Sequence, residues 1–223
     1  KKQWLGQGPH LAVVITTLRC NQSCRYCHAS RTDMHRVDTD MSLDIARKVV
    51  DHAMDTPSPY LNFEFQGGEP TVNMDAIKCV VEYSREKNRH INKILDHSLV
   101  TNMTFMNEEN ADWIMKNGVL ICTSLDGPAE VHNFNRTWQK GSNAYDNVIH
   151  WIKRFNQKYI DAKNKTFQNF IDGDIEKISP NEEDVADHLS TIFTENRLKK
   201  YIEIRSMDAC GWDCLCAAPG FFI

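Results

Sequence analysis

The sequence predicts an α/β fold in which parallel strands alternate with helices. Short apolar or alternating runs are bounded by turn residues, and each run is followed by a stretch with apolar residues at helical spacing. This order of strand, loop and helix repeats about four times along the chain. Parallel neighbours need crossover connections, so we expect the helices to cover the outside of the sheet.

The individual elements follow from local patterns. The first strand is a continuous apolar run at residues 11–15, which we expect to be buried. Ser42 is a suitable N-cap for the first helix, and Gly118 is the residue type that ends a helix. The remaining strands are predicted at residues 61–65, 94–101 and 119–124, and the helices at 42–54, 75–87, 107–117 and 145–155.

Composition limits the class of protein. A chain of 223 residues with 41% hydrophobic content can bury a sizeable core, and a net charge of −4 disfavours nucleic acid as a partner. No apolar run approaches the ~20 residues that span a bilayer, so no membrane partner is expected. Residues 1–5 lack the apolar run of a secretory signal, so we expect a cytoplasmic protein. Eight cysteines without export signals favour metal or cluster ligation.

Three cysteines stand directly after the first predicted strand. Cys20, Cys24 and Cys27 could hold three irons of a [4Fe–4S] cluster, which would leave the fourth iron free to bind a small molecule. They could also form most of a zinc site closed by His28 or a remote residue, or be buried thiols that act as small hydrophobes. The spacing alone leaves these alternatives open, whereas a disulfide is disfavoured.

The residues around these cysteines extend the pattern. The order Cys20, Cys24, Tyr26, Cys27 resembles the cluster motif of radical S-adenosylmethionine (SAM) enzymes, and residues 64–70 resemble the Gly-Gly-Glu motif of that family. A later segment, residues 123–136, resembles peptide-modifying members. Over about residues 8–155 the chain resembles the maturases of the His-Xaa-Ser peptide system and the anaerobic sulfatase maturases.

The resemblance implies a fold, two cofactors and a reaction. The fold would be a partial (βα) barrel of the radical SAM type, with about four of the family's six units recognisable. Cys20, Cys24 and Cys27 would hold a [4Fe–4S] cluster, which binds SAM and cleaves it reductively. The radical formed would abstract hydrogen from a peptide or small-protein substrate in a maturation reaction. An electron donor such as flavodoxin or ferredoxin would reduce the cluster.

The resemblance also implies roles for residues near the cysteines. Tyr26 would contact the adenine of SAM, and Gln66 would touch the substrate. Gly67 and Gly68 would let the backbone approach SAM, since a glycine has no Cβ. Glu69 would accept a hydrogen bond from the SAM ammonium group.

Further site residues are expected where later strands end. The resemblance implies that Asn102 and Ser124 bind the ribose or carboxylate of SAM, and that Arg136 pairs with its carboxylate. We expect Asp126 and Gly127 to shape a turn. Cys79 and Cys122 fall within a predicted helix and a predicted strand, so we expect both to belong to the core.

The tail has a different character. Residues 158–223 carry more acidic than basic side chains and resemble a fragment of plant- and proteobacterial-type glutamate–cysteine ligases. We therefore predict two partial sequences, a radical SAM core at residues 1–156 and a short α+β tail of different origin at 157–223. The residues that match the ligase pattern are Arg197, Glu203, Arg205 and Asp208, and the cysteines of the tail, which we interpret as ordinary thiols, are Cys210, Cys214 and Cys216.

Two alternative functions remain at this stage. The tail could represent an ATP-dependent glutamate–cysteine ligase using Mg²⁺, although it contains no Gly-rich phosphate loop. The cysteines could also mark a zinc-binding fragment without catalytic activity. Iron, sulfide and zinc content would separate these alternatives from a radical SAM enzyme.

Overall fold

The computed structural model describes residues 8–138, 141, 143–155 and 167–173, and the backbone of 196–198 and 202–204. The chain divides into two compact units, residues 1–159 and 160–223. The predicted boundary at residues 156–157 lies outside the described residues and stays a prediction.

A four-stranded parallel sheet forms the centre of the first unit, with the spatial order β1, β3, β4, β5. This arrangement confirms the predicted α/β class and partial barrel. A separate two-stranded ribbon joins β2 to β6 in antiparallel fashion. The strands of this unit are β1 (Leu11–Thr17), β2 (Gln22–Cys24), β3 (Tyr60–Gly67), β4 (Ile94–Thr101), β5 (Leu120–Thr123) and β6 (Arg136–Trp138).

Helix ends follow the local signals of the sequence. The Ser42 side chain accepts a hydrogen bond from the Ile45 amide at the start of α1, as an N-cap does. The side chain of Asn107 caps α3 in the same way, and Gly118 follows α3 with a φ of 56°. The helices are α1 (Leu43–Met54), α2 (Met74–Ile91), α3 (Glu108–Lys116), α4 (Ala129–Asn135) and α5 (Ala144–Phe155), with 3₁₀ turns at Val37–Thr39 and Pro70–Asn73.

The core lies between the sheet and its helices. Leu61, Phe63 and Phe65 alternate along β3 and are almost completely buried. Since successive side chains of a strand point to opposite faces, Asn62, Glu64 and Gln66 lie on the other face. The sheet therefore buries one face against helices. The helical residues of the same core are Ala46, Val50 and Met54 of α1, Ile77, Val80 and Val81 of α2, Ala111 and Ile114 of α3, and Val148 and Trp151 of α5.

Two predictions about burial are wrong. The run at residues 11–15 was expected to be buried throughout, but Val13 is 49% exposed whereas Val14 is buried. Cys122 was expected in the core and is exposed on β5. The cause is the same for both, because successive side chains of a strand point to opposite faces: Val13 alternates with the buried Val14, and Cys122 follows Ile121, which packs against the core. Cys79 is half-buried and packs against the core.

The second unit is described in two short parts. One is the helix α6 (Phe167–Ile171), and the other is an antiparallel pair of strands, β7 (Asn196–Leu198) and β8 (Ile202–Ile204), in which Arg197 is the register partner of Glu203. The other tail residues singled out from the sequence lie outside the described residues. Within the described part of the chain, no helix is long and apolar enough to cross a membrane.

Candidate cofactor site

The cysteine loop is attached to the fold at both ends. The Cys20 amide donates to the Thr32 carbonyl at 3.1 Å, and the Thr32 amide donates to the Leu18 carbonyl at 2.6 Å. Farther along, Cys24 is the register partner of Arg136, because β2 pairs with β6. The ribbon therefore places the loop between the end of β1 and the segment around Arg136.

Cys20, Cys24 and Cys27 are free thiols in three different environments. Cys20 is 6% exposed, Cys24 is half-buried and Cys27 is exposed. Burial raises the pKa of Cys20 to about 11. Burial also raises the pKa of Cys24, with the Arg136 charge opposing the shift. Since the thiolate is the metal ligand, a nearby positive charge such as iron is needed to stabilise Cys20 in its ionised form.

The arrangement of these thiols distinguishes a cluster from a single ion. Within the described residues, no three Cys, His, Asp or Glu side chains are grouped so that they could hold one metal ion. A zinc ion requires its ligands at ~2.0–2.3 Å from one centre, whereas the cysteines of a cubane bind different irons and stand farther apart. Three free thiols that line one cavity are the kind of donor set that iron–sulfur clusters take.

A cavity of about 180 Å³ opens beside the cysteines. It lies at the carboxyl ends of β3, β4 and β5, where α/β folds build their sites. Of the eleven site residues predicted from the sequence, all except Glu69 line it. The lining residues are Cys20, Gln22, Cys24, Tyr26, Cys27, His28, Ala29, Gln66, Gly67, Gly68, Val100, Thr101, Asn102, Ser124 and Arg136.

Gly67 and Gly68 are needed for a close approach to the chain itself. A Cβ on Gly67, whose φ is 144°, would lie 2.1 Å from the Thr17 carbonyl oxygen. A Cβ on Gly68 would lie 2.4 Å from the carbonyl oxygens of both Leu18 and Arg19. The glycines therefore let β3 end against the segment that leads to Cys20. Contact with SAM stays a prediction for both.

Glu69 is fully buried and does not line the cavity. Its Oε1 accepts hydrogen bonds from the Thr71 amide, the Thr71 hydroxyl and the Thr101 hydroxyl, and its Oε2 accepts one from the Asn102 amide. Burial raises the pKa of Glu69, although these donors favour the charged form. The carboxylate thus joins the ends of β3 and β4. A hydrogen bond between Glu69 and the SAM ammonium group stays a prediction.

Asn102 lies directly against a cysteine sulfur. Its Nδ2 donates to Cys20 Sγ at 3.7 Å and to Asn21 Oδ1 at 3.1 Å. Its Oδ1 accepts from the Thr104 amide at 2.8 Å and from the Thr104 hydroxyl at 2.7 Å. The side chain therefore connects the end of β4 with the cysteine loop, and its amide faces the expected cluster.

Arg136, Asp126 and Tyr26 form one charged group on the opposite wall. Arg136 Nε lies 2.9 Å from Asp126 Oδ1, and both side chains are mostly buried. The Tyr26 hydroxyl donates to Asp126 Oδ2, and the guanidinium lies 5.2 Å from the centre of the Tyr26 ring. The Tyr26 and Arg136 bonds hold the pKa of Asp126 below its usual value against the effect of its burial. Asp126, expected only to shape a turn, therefore orients two cavity residues.

The remaining predicted residues also reach the cavity. Ser124 follows the end of β5, and Gln66 is near the end of β3. The Gln66 Nε2 donates to Glu64 Oε1 on the same face of β3. Because this bond uses Nε2, the side-chain Oε1 of Gln66 remains available to accept a hydrogen bond.

Sequence reasoning did not select Gln22 or Thr101, which both line the cavity. Gln22 Nε2 donates to Thr104 Oγ1 at 3.4 Å, and Thr101 donates to Glu69. Each is adjacent to, or two residues from, a residue that was selected. Their closeness in sequence to Cys20 and Asn102 is the signal that could have identified them.

Curated relatives resemble the chain in two ways. A cysteine-type anaerobic sulfatase-maturating enzyme of Clostridium perfringens is 33% identical over 134 residues, which is 57% of this chain and 36% of that enzyme. The chloroplastic glutamate–cysteine ligase of Nicotiana tabacum is 39% identical over 83 residues, which is 36% of this chain and 16% of the ligase. Both resemblances predicted from the sequence are thereby confirmed, and the chain spans only part of each relative.

A solved structure and a family model agree with the first resemblance. Native anSMEcpe with bound AdoMet and Cp18Cys peptide superposes with a TM-score of 0.59 at 26% identity, and the match covers 75% of this chain and 49% of that one. The model of the radical SAM superfamily matches residues 14–177, which extends past the predicted domain boundary. The chain thus belongs to the radical SAM superfamily, of which a [4Fe–4S] cluster is characteristic.

Proposed function

We propose that this chain is the catalytic core of a radical SAM enzyme that abstracts hydrogen from a peptide substrate. When bound, the cluster supplies the electron that cleaves SAM reductively, and this chemistry belongs to the cofactors. The protein's part is to bind and orient both cofactors, to present the substrate and to exclude water. The observation that carries the proposal is that three free cysteines line one cavity together with Gly67, Gly68, Asn102, Ser124 and Arg136.

The cavity residues divide into two functional groups. Cys20, Cys24 and Cys27 would hold the cluster, with Cys27 nearest to solvent. On the other wall, Arg136 would bind the SAM carboxylate, because Asp126 holds the guanidinium in place through Nε. Within the described residues the two Nη atoms of Arg136 form no hydrogen bond, so they remain for a ligand.

Tyr26 and Ser124 would complete the SAM site. The Tyr26 ring is fixed by its bond to Asp126 and by the Arg136 guanidinium, so it presents a face on which an adenine can stack. Ser124, at the end of β5, would donate a hydrogen bond to the ribose or carboxylate. Gly67 and Gly68 would contribute backbone groups to the same pocket.

A peptide is the proposed substrate because of the open side of the sheet. Gln66 lies on the cavity wall and on the face of β3 that carries no helix in the described chain. An extended segment could therefore reach Gln66 across this face. Two of the anSMEcpe structures that superpose on the chain contain bound peptides, which supports the same class of substrate. An electron donor of the flavodoxin or ferredoxin type is proposed as the second partner.

The test is anaerobic reconstitution followed by two measurements. Iron and sulfide should each reach about four per chain, as for one cubane. With dithionite and SAM, the protein should release methionine and 5′-deoxyadenosine, and deuterium from a labelled peptide should appear in the 5′-deoxyadenosine. Peptide-independent cleavage without deuterium transfer would leave a radical SAM enzyme with another substrate. Absence of iron would reject the proposal.

The ligase-like similarity supports no second function. It covers 16% of the tobacco ligase, and two of the four residues that match the ligase pattern, Arg205 and Asp208, lie outside the described part of the chain. Measurement of ATP hydrolysis with glutamate and cysteine is the control for this alternative, and we expect no turnover.

A further inference from the structure

We propose that Asn102 is a positioning residue that raises the reduction potential of the cluster by donating a hydrogen bond to the sulfur of Cys20. The proposal rests on the proposed function, since it requires a cluster on Cys20. It places Asn102 in contact with Cys20, which would bind the cluster, whereas the resemblance implies a contact between Asn102 and SAM.

The sulfur atoms of the three cysteines have different hydrogen-bonding roles. Cys20 Sγ accepts from the Gln22 amide at 3.4 Å and from Asn102 Nδ2 at 3.7 Å. Cys24 Sγ instead donates to Gln22 Oε1 at 3.5 Å, and Cys27 Sγ donates to the Ala29 carbonyl at 3.6 Å. The last two bonds need a thiol proton and are lost when the sulfur binds iron. Cys20 keeps both of its bonds, because there the sulfur is the acceptor.

The position of Asn102 is fixed from several directions. Its backbone amide donates to the buried Glu69 carboxylate at 2.7 Å, and its side-chain Oδ1 accepts two hydrogen bonds from Thr104. Thr104 Oγ1 in turn accepts from Asn21 Nδ2 at 2.9 Å. Since the side-chain Oδ1 accepts from two donors, a rotation of the side-chain amide that exchanged Oδ1 and Nδ2 would break both of these hydrogen bonds. The Nδ2 group is therefore directed at Cys20 before any cofactor binds.

A donor in this position has a predictable electrostatic effect. Reduction adds one electron to the cluster, and part of this charge resides on the cysteine sulfurs. An N–H dipole aimed at sulfur stabilises the more negative, reduced state, and hydrogen bonds to sulfur are among the determinants of cluster potential. The effect is large where water is excluded, and Cys20 is 6% exposed. Asn102 should therefore make the cluster easier to reduce.

The experiment compares two neutral variants of the reconstituted full chain. Asn102→Ala removes the N–H donor to Cys20 together with the bonds to Thr104. Thr104→Val removes the side-chain bonds of the same network and leaves the donor to sulfur in place. The midpoint potential of the cluster is measured by anaerobic titration with dithionite, followed by visible absorbance and electron paramagnetic resonance. We expect a more negative potential for Asn102→Ala and the wild-type potential for Thr104→Val.

The outcomes separate this proposal from the proposed function. Absence of iron and sulfide from the wild type would reject the proposed function itself. A wild-type cluster with an unchanged potential in Asn102→Ala, or with an equal shift in Thr104→Val, would overturn only the role of Asn102.

A second variant applies if Asn102→Ala fails to fold. Asn102→Leu keeps the approximate size of the side chain, adds no charge and lacks the donor to sulfur, and Thr104→Val remains its control. A more negative potential in Asn102→Leu than in Thr104→Val supports the proposal. Equal potentials, or loss of the cluster from both Asn102 variants, overturn it.

Discussion

At the scale of single residues, exposure distinguishes three cysteines that share one loop. Cys20 is enclosed by Asn102 and Gln22, whereas Cys27 faces solvent. An electron from a docked partner would therefore enter most directly on the side of Cys27. The buried side, at Cys20, is where the protein can influence the cluster electrostatically.

Replacement of any one of these cysteines tests the ligand assignment. Cys20→Ala, Cys24→Ala and Cys27→Ala should each abolish iron and sulfide binding, because a cubane held by three protein ligands cannot spare one. Cys79→Ala is the matched control, since Cys79 is a free thiol outside the cavity. Full iron and sulfide content in Cys24→Ala would show that the cluster assignment is wrong.

Arg136 provides a second test at this scale. Arg136→Met should keep the cluster and weaken SAM binding about tenfold or more, because a charge-assisted hydrogen bond to the carboxylate is lost. Asp126→Asn should weaken it less, since the arginine remains but is no longer held by an ion pair. SAM affinity is measured from the change that it causes in the cluster spectrum. Arg154→Met, on the surface of α5, should behave like the wild type, and equal affinities in all variants would exclude Arg136 from the SAM site.

At the scale of elements, periodicity predicted what regular packing determines. Helices and strands with a repeated apolar pattern, such as α1 and β4, lie where the sequence placed them. The ribbon of β2 and β6 was missed, because three residues are too few to show a period. The exposure of Cys122 was missed because an apolar run does not reveal whether a strand is central or at an edge.

Site residues were predictable to a similar extent. The motifs identified the residues that line the cavity, since the carboxyl ends of parallel strands meet at one edge. They did not reveal the direction in which Glu69 points. That direction depends on donors from Thr71, Thr101 and Asn102, which the fold brings together from two strands.

The turn after β3 gives the first prediction at this scale. Gly68→Ala should lower the free energy of unfolding by about 2 kcal/mol or more and reduce iron content, because the new Cβ meets the carbonyl oxygens of Leu18 and Arg19. Gly127→Ala is the contrast, since its φ is 95° but no atom lies within 4 Å of the added Cβ. Urea unfolding and iron analysis provide the comparison. A Gly68→Ala protein of normal stability and iron content that binds SAM poorly would instead favour a direct contact with the cofactor.

His97 in β4 gives a pH-dependent prediction. Burial between Phe63 and Phe65 lowers its pKa to about 4, and its Nε2 bonds to Ser84 Oγ at 2.8 Å. As pH falls from the ordinary value of 6.5 towards 4, the unfolded chain takes up a proton that the folded chain does not. The contribution of His97 to the free energy of unfolding is therefore complete above about pH 6.5 and is lost as the pH falls towards 4.

The measurement is urea unfolding at two pH values. His97 should account for a loss of about 2 kcal/mol between about pH 7 and about pH 5. His97→Gln removes the titrating group, so its unfolding free energy should change less over the same interval, whatever its absolute stability. Identical changes in the two proteins would mean that His97 titrates normally in the folded state. The nearby charges of Arg85 and Asp96 are common to both proteins and cancel in the comparison.

At the scale of the whole molecule, the chain combines a radical SAM core with a segment related to another family. It covers 36% of the clostridial maturase and 16% of the tobacco ligase. The two edges of the sheet belong to this scale as well, because β1 and β5 each have one strand partner among the described residues. If a further part of the protein, a peptide or another chain covers Leu11, Val13 and Ile15, these side chains would then be buried.

The junction between the two partial sequences gives the last prediction. The sequence at residues 157–165 is polar and offers little apolar surface to bury, which is typical of segments that proteases cut first. Limited proteolysis of the reconstituted full chain should therefore cleave first between residues 156 and 165, and mass spectrometry would locate the cut.

The larger fragment should retain its iron and sulfide, because all three cysteines and the cavity residues lie before residue 137. Cys24→Ala protein, digested in parallel, shows whether the cluster itself affects the site of cleavage. If the first cut falls elsewhere, or if cleavage near residue 160 releases the iron, the tail contributes to the folded core. The two sequences would then form one continuous structure, and the predicted boundary would be wrong.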